Sequence, residues 1–179
     1  MIEFITEYWE AIIAIMALIT SLGGLFIAYK TFQVQRIHNI KMIKPILHIG
    51  QWDYENNIKV DLRNNGLGPA MIDKIYVKNK GGKTKNALYY WLPEKLPNEM
   101  NYKEYWTGHE NFVVRPDFIC KLIEIPIDTG VERQLKEREK IRRKLGKLVI
   151  VIEYSDIYGN RMPKYEKDLW LFRRDDNVN

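Results

Sequence analysis

Hydrophobic and polar positions follow three regimes along the chain. Residues 11–29, AIIAIMALITSLGGLFIAY, are 19 positions without a charge. A helix of that length rises about 28 Å, close to the roughly 30 Å hydrocarbon core of a bilayer. The run predicts a transmembrane helix, with Tyr8, Trp9 and Tyr29 where aromatic rings anchor a span at the interfaces. Over 30–44 the helical spacing continues, with Phe32, Gln35 or Arg36, Ile40 and Ile43 near one side. This predicts a juxtamembrane amphipathic helix, stopped by Pro45 because the residue before a proline is pushed out of the helical region. Beyond Pro45 the period changes to two.

The period-two region, 45–173, reads as strands separated by turn chemistry. ILHIGQW is the first strand, and IKVDLR turns Ile58, Val60 and Leu62 inward against Lys59, Asp61 and Arg63. NNGLGPA interrupts, MIDKIYV resumes with Met71 or Ile72, Ile75 and Val77, and NKGGKTKN is a hairpin turn. Residues 87–111 are rich in Tyr and Trp and broken by Pro93 and Pro97, a pattern open to a short strand, a helical turn or long loops. FVVRPDFICKLIEIP gives one or two strands, with Pro116 as an edge or a break. Asp128 or Thr129 can cap a helix over VERQLKEREKIRRKLG, which presents Val131, Leu135, Ile141 or Arg142, and Leu145 to one side and ends at Gly146. KLVIVIEYSDIYGNRMPKYEKDLWLF is a hairpin, and 174–179 a flexible tail. Roughly six to eight strands with one short helix predict an all-β-dominated fold: an N-terminal transmembrane helix followed by an immunoglobulin-like β-sandwich with one short basic helix. The missing strand–helix alternation excludes a doubly wound sheet.

Charge sets the expected orientation. Three acids and no base precede the span, whereas Lys30, Arg36, Lys41 and Lys44 follow it before the first acid, Asp53. Bases collect on the cytoplasmic side of short flanks, so residues 1–10 are expected outside and 45–173 in the cytoplasm of a cell whose inner membrane the chain crosses once. A secretory signal would start basic and end at a small-residue cleavage site, and this chain does neither. The one cysteine, Cys120, agrees with a reducing compartment and reads as a structural thiol in FICKLIEI.

Three features invite a functional reading. Ala14, Ala17, Ser21, Gly24 and Ala28 fall on one stripe of the span, where small side chains let helices approach in lipid, so a homo-oligomer is expected. The helix 131–147 holds eight bases against three acids, a net of +5 that equals the charge of the whole chain. Its bases form a solvated face with pairs such as Glu132–Lys136, or contact anionic lipid, or bind nucleic acid or a nucleotide through Arg138, Arg142, Arg143, Lys144 and Lys147. Third, the loops NNGLGPA and DIYGN form a possible binding edge with Asn65, Gly66, Gly68, Asp156 and Asn160. NNGLGPA is no phosphate loop, because a strand follows it and no Lys is placed to reach phosphates.

Catalysis finds little support. His38, His48 and His109 lack metal-ligand spacing, and no nucleophile motif or paired-acid context occurs. His109 beside Glu110 is a local acid–base pair only if the backbone turns there, since neighbours on a strand face opposite ways. No cofactor and no metal is expected.

Two stretches, HNIKMIKPILHI (38–49) and LRNNGLGPAMIDKIYV (62–77), resemble a diffuse group of small, mostly uncharacterised prokaryotic single-span membrane proteins. They share a HN…K/R-P stretch, an NxGxGPA loop and a β-sandwich-like domain. The resemblance covers residues 10–80, and the SDIYGN hairpin more loosely. It marks His38, Asn39, Pro45, Asn65, Gly66, Gly68, Pro69 and Ala70, and departs at Lys41-Met42-Ile43-Lys44, where a Ser-Val-Arg type stretch often stands. It implies a cytoplasm-facing sandwich on an anchor and no activity. Some proteins of this layout act as effectors in antiviral defence, so a partner protein from the same operon is expected by analogy of layout. The reading is a non-enzymatic membrane-anchored interaction or effector module. The alternative is a tethered sensor of nucleic acid or a nucleotide.

Overall fold

A computed structural model describes residues 8–177 apart from His109, with side chains as far as Arg173. Most of the expected external N-terminus, and the tail's side chains, lie outside the described residues. The chain divides after Met42 into two compact units.

The first unit is one helix, α1 (Trp9–Met42), 34 residues without a break. The expected span and juxtamembrane helix are therefore one element of about 51 Å. None of its side chains is buried, and Ile12, Leu18, Leu22, Leu25 and Phe26 are exposed around its circumference. A helix apolar on every side suits a membrane or a deep core rather than a surface. It is long and apolar enough to cross a membrane, consistent with a single-pass topology.

The second unit holds nine strands among the described residues: β1 (Leu47–Tyr54), β2 (Asn57–Asn64), β3 (Ala70–Asn79), β4 (Thr84–Lys85), β5 (Glu104–Tyr105), β6 (Phe112–Val114), β7 (Ile119–Pro126), β8 (Leu148–Ser155) and β9 (Tyr165–Asp168). A helix, α2 (Glu132–Leu145), connects β7 to β8. Two open antiparallel sheets result, ordered β1-β2-β7-β5 and β4-β3-β8-β9, with β6 also on β3. Strand dominance belongs to this unit alone, because with α1 the described residues are about as helical as they are stranded.

Alternation explains the core. Ile49, Ile58, Val60, Leu62, Ile123 and Ile125 from one sheet join Ile72, Ile75, Val77, Ile150 and Ile152 from the other in a single buried cluster. Ile72 and Ile75 share a face despite their odd spacing because a bulge between Ile72 and Lys74 shifts the register. Met71, the other candidate inward residue, is exposed.

Two local expectations are corrected and a third, the helix end at Gly146, holds for a different reason. No side chain caps α2: its N-cap is Val131, while Asp128 Oδ1 accepts from Gly130 N at 2.9 Å. Gln134 takes the inward place expected of Val131, and its Oε1 accepts the Asp128 amide at 2.8 Å. Gly146 closes the helix in ordinary right-handed conformation, so its lack of a side chain serves packing: a methyl group there would crowd Phe172 and Arg173.

Candidate functional site

The loop NNGLGPA is built around a residue whose role the sequence did not reveal. Asn64 is fully buried at the end of β2, and its Oδ1 accepts from Ile46 N at 3.1 Å and Gly66 N at 3.0 Å. Its Nδ2 donates to Gly68 O at 2.8 Å and Val114 O at 3.0 Å. All four side-chain bonds are made, which is what a buried amide requires. Gly66 and Gly68 lie flat on the backbone of 43–46, and a methyl group on either would strike the Lys44 or Ile43 carbonyl. The loop thus clasps the segment by which the chain enters the domain. Asn65, the adjacent exposed residue, contributes only its amide, to Ile46 O at 2.8 Å. The available signal was the Asn-x-Gly spacing, since an Asn side chain turns back to the amide two residues on.

DIYGN is organised in the same way. The Asp156 carboxylate is buried and accepts from the Tyr158 amide and from the Asn160 amide and side chain, all at 2.9 Å. Burial pushes its pKa up, but these bonds and the Lys44 charge outweigh burial and hold it below the ordinary Asp value. Met71 pairs with Ser155, so both loops sit at the same end of the domain. Gly66, Gly68, Asp156 and Asn160 serve as internal fasteners there.

The basic helix is partly committed to structure. Arg142 is buried, its Nε donating to Asp53 Oδ2 at 2.7 Å and its Nη1 to Glu139 at 2.8 Å. Arg138 donates to Asp53 Oδ1 at 2.6 Å and to Glu139 at 2.7 Å. Asp53 thereby ties α2 to β1, and two of the five bases proposed for anion contact face inward. Lys144 and Lys147 remain exposed, and Lys136 pairs with Glu132 at 2.8 Å as the spacing predicted.

Asp61 is a second correction. Its alternation put it outward in solvent, yet it is fully buried on the outer face of its sheet. Trp52 Nε1 donates to it at 3.0 Å, Arg63 Nε at 2.8 Å, and Lys59 stands 3.1 Å away. Burial raises its pKa, and Arg63, Lys59 and Trp52 together bring it below the ordinary value. Gly50 on β1 makes the room, because a side chain there would collide with the Asp61 carboxylate.

The remaining features are reactive in no evident way. Burial, with the nearby Glu104 charge, pushes the Cys120 thiol up to about 11, so it stays protonated at neutral pH. A cleft of about 350 Å³ is lined by Asp73, Glu153, Arg161 and Lys164, whose charges cancel. Residues 87–111, unreadable as pattern, gather tyrosines: Tyr89 stacks on Tyr105 at 4.3 Å and meets Tyr102 edge-on. Among the described residues no group of three His, Cys, Asp or Glu side chains could hold a metal ion. His109, and with it the His109–Glu110 pairing, lies outside the described residues. Ala14, Ala17, Ser21, Gly24 and Ala28 all fall on α1.

No family model, curated protein or solved structure matches this chain.

Proposed function

We propose that the chain is a single-pass membrane protein that presents an immunoglobulin-like sandwich to the cytoplasm and acts by interaction, as a non-enzymatic effector or adaptor. The observation that carries the reading is α1, uncharged over residues 11–29 and without a buried residue, leading into a domain that clasps the chain at its entry. The sandwich assignment is supported by strand order. With β1, β2, β3, β4, β5, β7, β8 and β9 taken as A, B, C, C′, D, E, F and G, the sheets are A-B-E-D and C′-C-F-G. The clasp also gives Pro45, Gly66 and Gly68, positions that carry the resemblance to small single-span proteins, a common structural task.

Action by clustering follows from the small-residue stripe. Without a hydrophobic drive in lipid, Ala14, Ala17, Ser21, Gly24 and Ala28 offer the close backbone approach that favours helix association. Clustered spans would perturb the membrane when the domain meets its partner protein, as in a defence-type response. Crosslinking in native membranes is the test: a ladder above the monomer is expected, collapsing when Ser21 and Gly24 are replaced by Leu. A monomer alone in the unaltered protein refutes clustering. The nucleotide-sensing alternative is weakened by the inward commitment of Arg138 and Arg142 to Asp53.

A further inference from the structure

Large apolar side chains exposed on the domain concentrate at one end. Leu67 is 70% exposed, Ile46 60%, Tyr158 59% and Ile157 55%, with Val113 and Phe118 also exposed. Their segments meet within the domain. Met71 pairs with Val113 on one side and Ser155 on the other, Asp117 N donates to Asn64 O at 3.1 Å, and Asn65 N to Ile46 O at 2.8 Å. Apolar side chains left in water together mark a contact surface. The charges on these segments cancel. Arg115 and Asp117 flank Pro116, and Lys164 pairs with Glu153 at 2.7 Å. Arg161 shares a cleft with Asp73, the extra residue of the β3 bulge, and the Lys44 charge bears on the buried Asp156. Lys74 and Glu110 complete a set of as many bases as acids. The hairpin turn Lys80–Lys83, at the other end of β3, carries no large apolar side chain.

We propose that this rim is a homotypic contact, on which the domain of a second copy of the chain docks about a two-fold axis. Leu67, Phe118, Ile157 and Tyr158 supply the apolar area, and the acids of each copy meet the bases of the other. Charge selects the occupant. A two-fold contact turns one patch against itself, so it needs apolar surface together with charges of both signs in equal measure. This rim has both. Nucleic acid or an anionic surface would call for an excess of bases, and a strongly charged peptide for an excess of the opposite sign. Neither excess is present. The loops are also set in advance: the buried Asn64 and Asp156 side chains fix them from beneath, so little order has to be gained when two rims meet. The contact is separate from clustering through α1 and does not need the small-residue stripe. The ladder ascribed to that stripe would then collapse to a dimer rather than to a monomer when Ser21 and Gly24 are replaced.

The test uses the full chain, co-expressed with two different tags and solubilised in mild detergent, one tag being captured and the other read. Capture should persist with Ser21→Leu and Gly24→Leu. It should fall to background when Leu67→Glu and Tyr158→Glu are added, and weaken with Leu67→Ala and Tyr158→Ala, which remove apolar area without adding charge. A short bis-maleimide, applied in native membranes to Leu67→Cys, Tyr158→Cys or Lys83→Cys in the Ser21→Leu, Gly24→Leu chain with Cys120→Ala, should link two copies at 67 and 158 and not at 83. Loss of capture with the two Leu substitutions alone overturns the rim contact and leaves clustering through α1 standing. Capture that survives both the Glu and the Ala pairs overturns it as well, as do links at 67 and 158 no stronger than at 83. Links from 67 and 158 to a protein other than this chain, identified by mass, make that protein the occupant and also overturn the proposal. Circular dichroism of each variant confirms that the comparison is between folded proteins.

Discussion

Asn64 joins three separate segments of the domain, since its side chain bonds to Ile46, to Gly66 and Gly68 in its own loop, and to Val114 on β6. Removing it leaves two amides and two carbonyls without these partners in a buried place. Asn64→Ala should cost about 2–4 kcal/mol, while Asn65→Ala should change stability by less than about 0.5 kcal/mol. Chemical denaturation followed by tryptophan fluorescence separates the two. Asp61 and Asp156 add a pH dependence. Both are held below the ordinary Asp value of 3.8, so each stabilises the fold fully above that pH and loses its contribution as pH falls through its lower folded value. Stability should therefore be flat with respect to these groups near neutrality and decline below about pH 4. Asp61→Asn should flatten part of that acid limb while lowering stability at pH 7. An acid limb of unchanged slope in Asp61→Asn would show that its charge is not what Arg63, Lys59 and Trp52 stabilise.

At the scale of elements, α2 is held by ion pairing as much as by its apolar face. Asp53 receives both Arg138 and Arg142, whose side chains are 13% and 5% exposed, so its loss deprives two poorly solvated cations of a shared carboxylate while their contacts to Glu139, and that of Arg138 to Tyr54 O, persist. Asp53→Ala should cost about 2–4 kcal/mol, and Lys144→Ala with Lys147→Ala less than about 1 kcal/mol together. A thermal melt of each variant measures the difference. Equal, small losses would restore the view of α2 as a solvated basic face. These pairs also show how far sequence carries. The helices, the long strands and the hairpin at Gly81-Gly82 were legible, because period and turn chemistry are local properties. Which residues oppose one another was not. Asp53 meets Arg142 across 89 positions, and Asp61 owes its burial to Gly50 on a neighbouring strand. Such contacts depend on register and crossover, which no single segment encodes. The short strands β4 and β5 escaped for the opposite reason, since two residues carry too little alternation to be read, whereas FVVRPDFICKLIEIP did divide at Pro116 into β6 and β7. The loop residues were found as motifs, but their work, fastening the entering chain, is visible only once Ile43–Ile46 lies beneath them.

For the whole molecule the decisive question is which side of the membrane the domain occupies, because a cytoplasmic effector and a cytoplasmic sensor both require it inside. The charge argument is one-sided: Glu3, Glu7 and Glu10 precede the uncharged run, and Lys30, Arg36, Lys41 and Lys44 follow it. Orientation is set by bases near the ends of a span, so the proposed placement expects the four bases to keep their end in the cytoplasm while the acids contribute little. A C-terminal reporter active only in the cytoplasm should therefore work, and protease added to intact cells should leave the domain whole. Neutralising the four bases while placing Lys at positions 3 and 7 should divide the population or invert it, which tests charge as the cause rather than the location alone. Labelling of the unaltered C-terminus from outside would make the domain an external module. It would remove the cytoplasmic effector and the nucleotide sensor together.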